Sequence, residues 1–320
     1  MKDKKVIFMG TPEFSVPVLE MLDNNTNVIL VVTQPDKEVG RHHEIKYSPI
    51  KEYALSHGIE VYQPTKIRNE YEYILSKKPD IIITCAYGQI IPEILLETPK
   101  YKAVNVHASL LPKLRGGSPL HHALIDGYNE TGVTIMYMAK GMDDGDIIKQ
   151  QSIEILDSDN VGTIHDKLSV MGRDLLLETL PSIFDGNVKR VKQNPDEVTF
   201  AYNIKSEEEI IDFNKTSKEV FNQIRGMYPF PIAHTTLDGE ILKICESKIG
   251  TSVKGVPGEI ISIYKDGIGV MCKDKEIIIT KVKPSGKKEM NVKDYLNGKQ
   301  NQTLEGRILC WKIRKNQENI

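Results

Sequence analysis

The chain has 320 residues, 40% of them hydrophobic and 27% charged, which suits a globular protein of one large or two ordinary domains. No apolar stretch is long enough to span a membrane, and Lys4 and Lys5 lead straight into the short run Val6 to Met9 with no signal peptide, so a cytoplasmic protein is expected. The formal net charge of −2 hides an asymmetry: Ile241 to Ile320 holds 16 Lys+Arg and 9 Asp+Glu, a net +7 against −9 elsewhere, which fits a polyanionic partner or an ordinary Lys-rich surface.

Val6 to Gly10 reads as a strand, followed by a helical pattern from Val16 to Leu22, the opening of a βαβ unit. The turn between them supplies one glycine where a dinucleotide fingerprint needs three, so no nicotinamide cofactor is expected. Val28 to Thr33 is a second strand, and Ser48-Pro49 is an N-cap with a first-turn proline opening a helix to about His57. Between them, Gln34 to Tyr47 is a polar excursion, long for a βα connection. Its Lys37, Arg41, His42, His43 and Lys46 suit phosphate contacts in a partner-binding loop, the alternative being a solvated loop, whereas His42-His43 as adjacent residues cannot converge on a metal. Ile59 to Tyr62 and Asp80 to Cys85 continue the pattern, the latter apolar throughout, as a strand covered on both faces should be. Cys85, with no cationic flank, reads as a core residue more readily than as a nucleophile, and the four cysteines are too scattered for a zinc site or a disulfide framework.

Ala103 to His107 is a further buried strand, and period two puts Asn105 and His107 on one face at its carboxyl end. Leu111-Pro112 and Arg115-Gly116-Gly117 then force a loop. Ser118 to Gly127 should be a short helix and Thr131 to Met138 a strand at the sheet edge. Met142 to Asp146 is a turn with three carboxylates, Ile147 to Ile155 a strand, and Asn160 to Phe184 a long amphipathic helix. Gln193 to Asn203 is polar and reads as connecting chain. Beyond Ser206, a helix from Ser217 to Arg225 precedes five short strands: Ala233 to Leu237, Glu240 to Glu246, Gly258 to Tyr264, Ile268 to Cys272 and Glu276 to Val282. The expected fold class is α/β, an N-terminal Rossmann-like doubly wound sheet plus a C-terminal OB-like β-barrel.

An amide, an imidazole and one acid from Asp143, Asp144 or Asp146 suit acyl transfer to an amine. Asn105 and a protonated His107 would stabilise the oxygen that gains charge, and the carboxylate would hold His107 protonated and accept the proton shed by the nitrogen. An α-amino group with a pKa of about 7.7–8.0 is largely a free base near neutrality and needs no covalent intermediate. The same three groups serve a water nucleophile equally well.

Taken together, Val6 to Phe14, Gln34-Pro-Asp-Lys37, Ala86-Tyr-Gly88 with Ile91-Pro92, Asn105 to Pro112, Arg115 to Gly117, Glu130 to Ile135, Met142 to Asp146, Arg225 with Pro229-Phe-Pro231, and Pro284 to Met290 resemble the folate-dependent formyltransferases, over nearly the whole chain. The resemblance implies 10-formyltetrahydrofolate as formyl donor, the amino group of initiator methionyl-tRNA as acceptor, direct amine attack, no metal, and no obligate protein partner, so that a monomer is expected. It implies catalytic roles for Asn105, His107 and Asp143, and folate contacts at Ser109, Leu110, Leu111, Pro112, Tyr87, Gly88, Ile90 and Asp143. It implies tRNA contacts at Lys37, Arg41, Lys46, Lys287 and Lys288. It divides the chain into a catalytic domain at 1–189, a linker at 190–205 and a tRNA-binding barrel at 206–315. Asp144 and His42-His43-Glu44 depart from the family pattern, the first by adding a charge beside Asp143. Sugar-nucleotide N-formyltransferases and formyltetrahydrofolate hydrolases share the first domain, but a small acceptor needs neither the inserted loop nor a basic second domain. A tRNA-binding protein without catalysis is the reading of another class, and intact Asn105, His107 and Asp143 speak against it.

Overall fold

The computed structural model describes residues 1–39, 44–298 and 303–309; Arg41, His42, His43 and Cys310 lie outside them. Two compact units emerge, one made of 1–119, 130–154 and 165–203, the other of 120–129, 155–164 and the chain from Ile204 onward.

The first unit contains β1 (Lys5–Gly10), α1 (Val16–Asn25), β2 (Asn27–Val32), the short pair β3 (Lys37–Val39) and β4 (Glu44–Lys46), α2 (Pro49–Ser56), β5 (Val61–Tyr62), α3 (Glu72–Ser76), β6 (Ile81–Cys85), α4 (Glu93–Glu97) and β7 (Ala103–His107). The chain then passes through α5 (Pro119–Ile125), which from Leu120 onward belongs to the second unit, before β8 (Glu130–Tyr137), β9 (Ile147–Glu154) and α6 (Val161–Phe184), of which residues 161–164 belong to the second unit and the rest to the first. The sheet order is β5-β2-β1-β6-β7-β8-β9. The first five strands are parallel and the last two antiparallel. Strand order reverses between β1 and β6, so their carboxyl ends flank the crevice where ligands of open α/β sheets bind.

Apolar residues occupy both parities of β1 and β6 because both faces are covered. On one face Ile7, Met9, Leu30, Val32, Ile82 and Ala103 cluster with Ile74 of α3 and Leu95 and Leu96 of α4. On the other, α6 comes so near that a Cβ on Gly172 would lie 2.9 Å from the Val106 side chain. The Ser48 hydroxyl accepts from the Lys51 amide with Pro49 in the first turn, which is the cap expected for α2.

Three expectations change. The strand from Glu130 is not an edge: β9 flanks it, and it is buried from Thr131 to Tyr137 because Val133 and Ile135 are apolar on one face and Met136 on the other. The Gln34 to Tyr47 excursion contains a two-stranded antiparallel ladder. Residues 190–203 are not free connecting chain: Val191 exchanges backbone bonds with Ile147, and Thr199 and Ala201 with Arg115.

The second unit holds α7 (Ser217–Met227), β10 (His234–Leu237), β11 (Glu240–Ile249), β12 (Ile260–Tyr264), β13 (Gly267–Met271), β14 (Glu276–Pro284), β15 (Met290–Asn291) and α8 (Val292–Asn297). Thr216 and Glu219 form a capping box at the start of α7. All five expected strands form, antiparallel, in the order β10-β11-β14-β13-β12, with β15 on β14. Phe213, Val220, Ile224, Ile244, Val270 and Ile279 fill a single core. No ladder joins β10 to β12 among the described residues, matching the partly open barrels of the oligonucleotide-binding type. No described helix is long and apolar enough to cross a membrane.

Candidate active site

The carboxyl end of β7 delivers Asn105 and His107 to the sheet face that carries Thr84 and Thr134, their register partners on β6 and β8. The Thr84 hydroxyl donates to the Asn105 Oδ1 at 2.8 Å. With Oδ1 engaged in this way, the NH2 group of Asn105 is the part left to donate to a ligand. Thr84 sits in an otherwise apolar run, and only register with Asn105 could have revealed it.

The loop after β7 is folded onto this face. Thr134 Oγ1 donates to the Ser109 carbonyl at 2.6 Å and accepts from the Leu111 amide at 3.1 Å, while Gln150 Nε2 donates to the Leu111 carbonyl. The Leu111-Pro112 bond is cis, and Leu114 has φ of 59°. The reversal brings the Leu114 carbonyl to 3.1 Å from His107 Nε2. A carbonyl only accepts, so Nε2 carries the proton there and Nδ1 is the nitrogen left for chemistry. Nδ1 lies 3.7 Å from Asp143 Oδ2, with His107 only 6% exposed. The ring is buried yet faces the acid.

Asp143 stands at φ 47°, in the left-handed region, and its Oδ2 also accepts from the Gly116 amide at 2.9 Å. Gly116 is required there: its φ is 120°, and a Cβ would lie 2.7 Å from the Ala201 carbonyl. Asp144 is exposed, with its carboxylate folded back over Gly141, so its extra charge stands in solvent. Of the three acids in the turn, Asp143 is the one paired with His107.

The expected folate residues separate into two groups. Ser109 is fully buried and its hydroxyl donates to the Lys113 carbonyl, while Leu111 packs with Met136 and Ile147; Leu110 and Pro112 remain half-buried. Tyr87 points its ring into the core and leaves its hydroxyl buried without a partner, and burial pushes that phenol well above its usual range. Its carbonyl accepts from Thr11 and Gln34, so only backbone at Tyr87 and the exposed Gly88 can meet a ligand. Ile90, 73% exposed, lines a cavity of about 710 Å³ with Gln34, Thr65, Lys66, Arg68, Asn69 and Gln89. Lys66 and Arg68 give that cavity two cations suited to a carboxylate or phosphate, which no motif in the sequence announced. Cys85 is a core residue, its thiol pushed up to about 12 by burial. No group of three or more metal-binding side chains occurs among the described residues.

Lys37 and Lys46 are exposed and lie directly opposite each other in the β3–β4 ladder. Arg41, expected to join them, lies outside the described residues. Lys287 and Lys288 are exposed in the turn after β14, remote in sequence from the first unit.

Residues 4–180 match the formyl transferase family, and residues 203–300 its C-terminal domain. The chain belongs to the formyl transferase family. This formyltransferase is 51% identical over 309 residues to the methionyl-tRNA formyltransferase of Staphylococcus aureus strain MW2, covering 95% of this chain and 99% of that protein. It is 49% identical over 299 residues to the methionyl-tRNA formyltransferase of Geobacillus sp. strain WCH70, covering 92% and 94%. In fold it resembles an N-formyltransferase of Helicobacter canadensis in complex with folinic acid and dTDP-3-aminofucose, with a TM-score of 0.64, 23% identity, and coverage of 86% of this chain and 98% of that one. It also resembles HypX of Aquifex aeolicus in complex with tetrahydrofolic acid, with a TM-score of 0.63, 16% identity, and coverage of 96% and 49%.

Proposed function

We propose that this formyltransferase moves the formyl group of 10-formyltetrahydrofolate to the α-amino group of initiator methionyl-tRNA, giving formylmethionyl-tRNA for translation initiation in the cytoplasm. The observation that carries the acceptor is identity near 50% across both domains with proteins of that name, the basic second domain included. The geometry supports direct transfer. The Asn105 amide, turned outward by Thr84, is a donor for the oxygen that gains charge as the amine attacks. His107 Nδ1 and Asp143 Oδ2 face each other and form a relay that takes the proton shed by the attacking nitrogen and returns it to the folate nitrogen as the bond from that nitrogen to the formyl carbon breaks. Because the Nε2 proton is held by the Leu114 carbonyl, His107 acts through Nδ1, the nitrogen with a lone pair to take up a proton. No nucleophilic side chain is needed, and the buried Cys85 thiol supplies none.

Incubating the purified protein with 10-formyltetrahydrofolate and three acceptors in parallel, charged initiator tRNA, a UDP-4-amino sugar and water, tests the proposal. Formylation of the charged tRNA is expected. Formylation of the sugar alone, or release of formate alone, would end this reading.

A further inference from the structure

The turn bearing Asp143 is fastened by a side chain from the segment after α6. Gln193 Nε2 donates to the Asp143 carbonyl at 2.7 Å and to the Gly145 carbonyl at 2.9 Å, bracketing the turn. Gln193 Oε1 in turn accepts two bonds from one guanidinium, Arg115 Nε at 3.0 Å and Nη2 at 2.7 Å. The next residue, Gly116, gives its amide to Asp143 Oδ2. Gln193 is itself placed by the reciprocal bonds between Val191 and Ile147. One end of the turn is closed sterically, since a Cβ on Gly145 would strike the Tyr137 carbonyl. At the other end Asp143 keeps a φ of 47°, in the left-handed region that is uncommon for residues with a side chain, although Asp tolerates it better than most.

We propose that Gln193, oriented by Arg115, is a positioning residue that holds Asp143 in this backbone conformation and so aims its carboxylate at His107. The proposal rests on the reading that Asp143 serves the transfer. Only a primary amide meets all the demands at this point: two N–H groups for two carbonyls and one oxygen for a guanidinium. A carboxylate in its place would keep Arg115 and lose both carbonyls. Simple loop fastening predicts lower stability but no dependence on the acid; aiming predicts that the effect vanishes once the acid is gone.

The test is a double-mutant cycle on the full chain with Gln193→Glu and Asp143→Asn. Turnover, both Michaelis constants and the melting temperature are read for each protein. With two hydrogen bonds lost, Gln193→Glu should lower kcat by about 10- to 30-fold. Both Michaelis constants should stay within about 2-fold, and in the Asp143→Asn background the same change should cost less than about 2-fold. Arg115→Lys, which replaces the fork by a point charge, should give a smaller loss with the same coupling and serves if Gln193→Glu fails to fold. Equal losses with and without the acid, or full turnover in Gln193→Glu, would overturn the proposal. Full turnover in Asp143→Asn alone would instead overturn the reading of Asp143 itself.

Discussion

Thr84 and Asn105 illustrate how a site of this kind is set one hydrogen bond at a time. An amide flipped by half a turn would present oxygen where the transfer needs a donor; with Oδ1 taking the Thr84 hydroxyl proton at 2.8 Å, the NH2 group is the end that faces the ligand. Thr84→Val keeps the shape and removes the bond, so kcat should fall by about 3- to 10-fold with both Michaelis constants little changed, whereas Thr84→Ser should restore turnover. Loss of folate binding in Thr84→Val, with kcat intact, would show that the amide contacts the donor's ground state. His107→Asn keeps a polar group near the Nδ1 position but removes the ring that can take up a proton, and should lower turnover by about 10²-fold while leaving tRNA binding, measured by filter retention, nearly unchanged. Comparable losses in turnover and binding would make His107 structural.

At the scale of elements, the β3–β4 ladder sets Lys37 opposite Lys46, and no further strand among the described residues joins the pair to share the charge. Like charges directly opposite destabilise a ladder, so this hairpin is worse as free structure than as a surface against an anion. Replacing both lysines by serine should raise the Michaelis constant for charged tRNA about 10-fold and reduce the magnitude of the salt slope of binding by about one to two, leaving the folate constant unchanged. A shift in the folate constant alone would reassign the hairpin. The hairpin also shows the reach and the limit of reading the chain by pattern. Strands with apolar residues at both parities, such as Ile81 to Cys85, and capped helices such as the one behind Ser48 were legible because local chemistry decides them. Asn105 and His107 were legible together for the same reason, since two residues apart on a strand means one face. What was not legible depends on contacts distant in sequence. Gln193 reads as connecting chain until Asp143 and Arg115 are seen around it, 50 and 78 residues away. Nor does the pattern report that the Tyr87 ring lies in the core, leaving backbone at that position to face a ligand. The strand at Glu130 reads as an edge because nothing in its alternation reports the neighbour at Ile147.

For the molecule as a whole, the excess of cations from Ile241 onward and the two lysines of the hairpin make tRNA binding a matter of phosphate neutralisation, so raising salt should weaken tRNA and spare folate. Stability responds to a different variable. In the second unit, His234 is held below the usual histidine range by burial and by Lys243, against the opposing pull of Glu209, and His121 by burial and by His122, against the opposing backbone contact to Phe230. Both imidazoles therefore stay neutral in the fold at a pH where the unfolded chain, titrating near 6.5, has begun to take up protons. Where the unfolded state binds more protons, stability rises with pH. The stabilising share of these two groups is fully present above about pH 6.5 and drains as the pH falls through that value, well before the carboxylates protonate. The melting temperature should accordingly drop between pH 7.5 and 5.5. Replacing His234 and His121 by Gln, which cannot take up the proton, should flatten that drop even if it lowers the melting temperature at pH 7.5. An unchanged pH slope in the double variant would mean that the acid sensitivity resides in other groups.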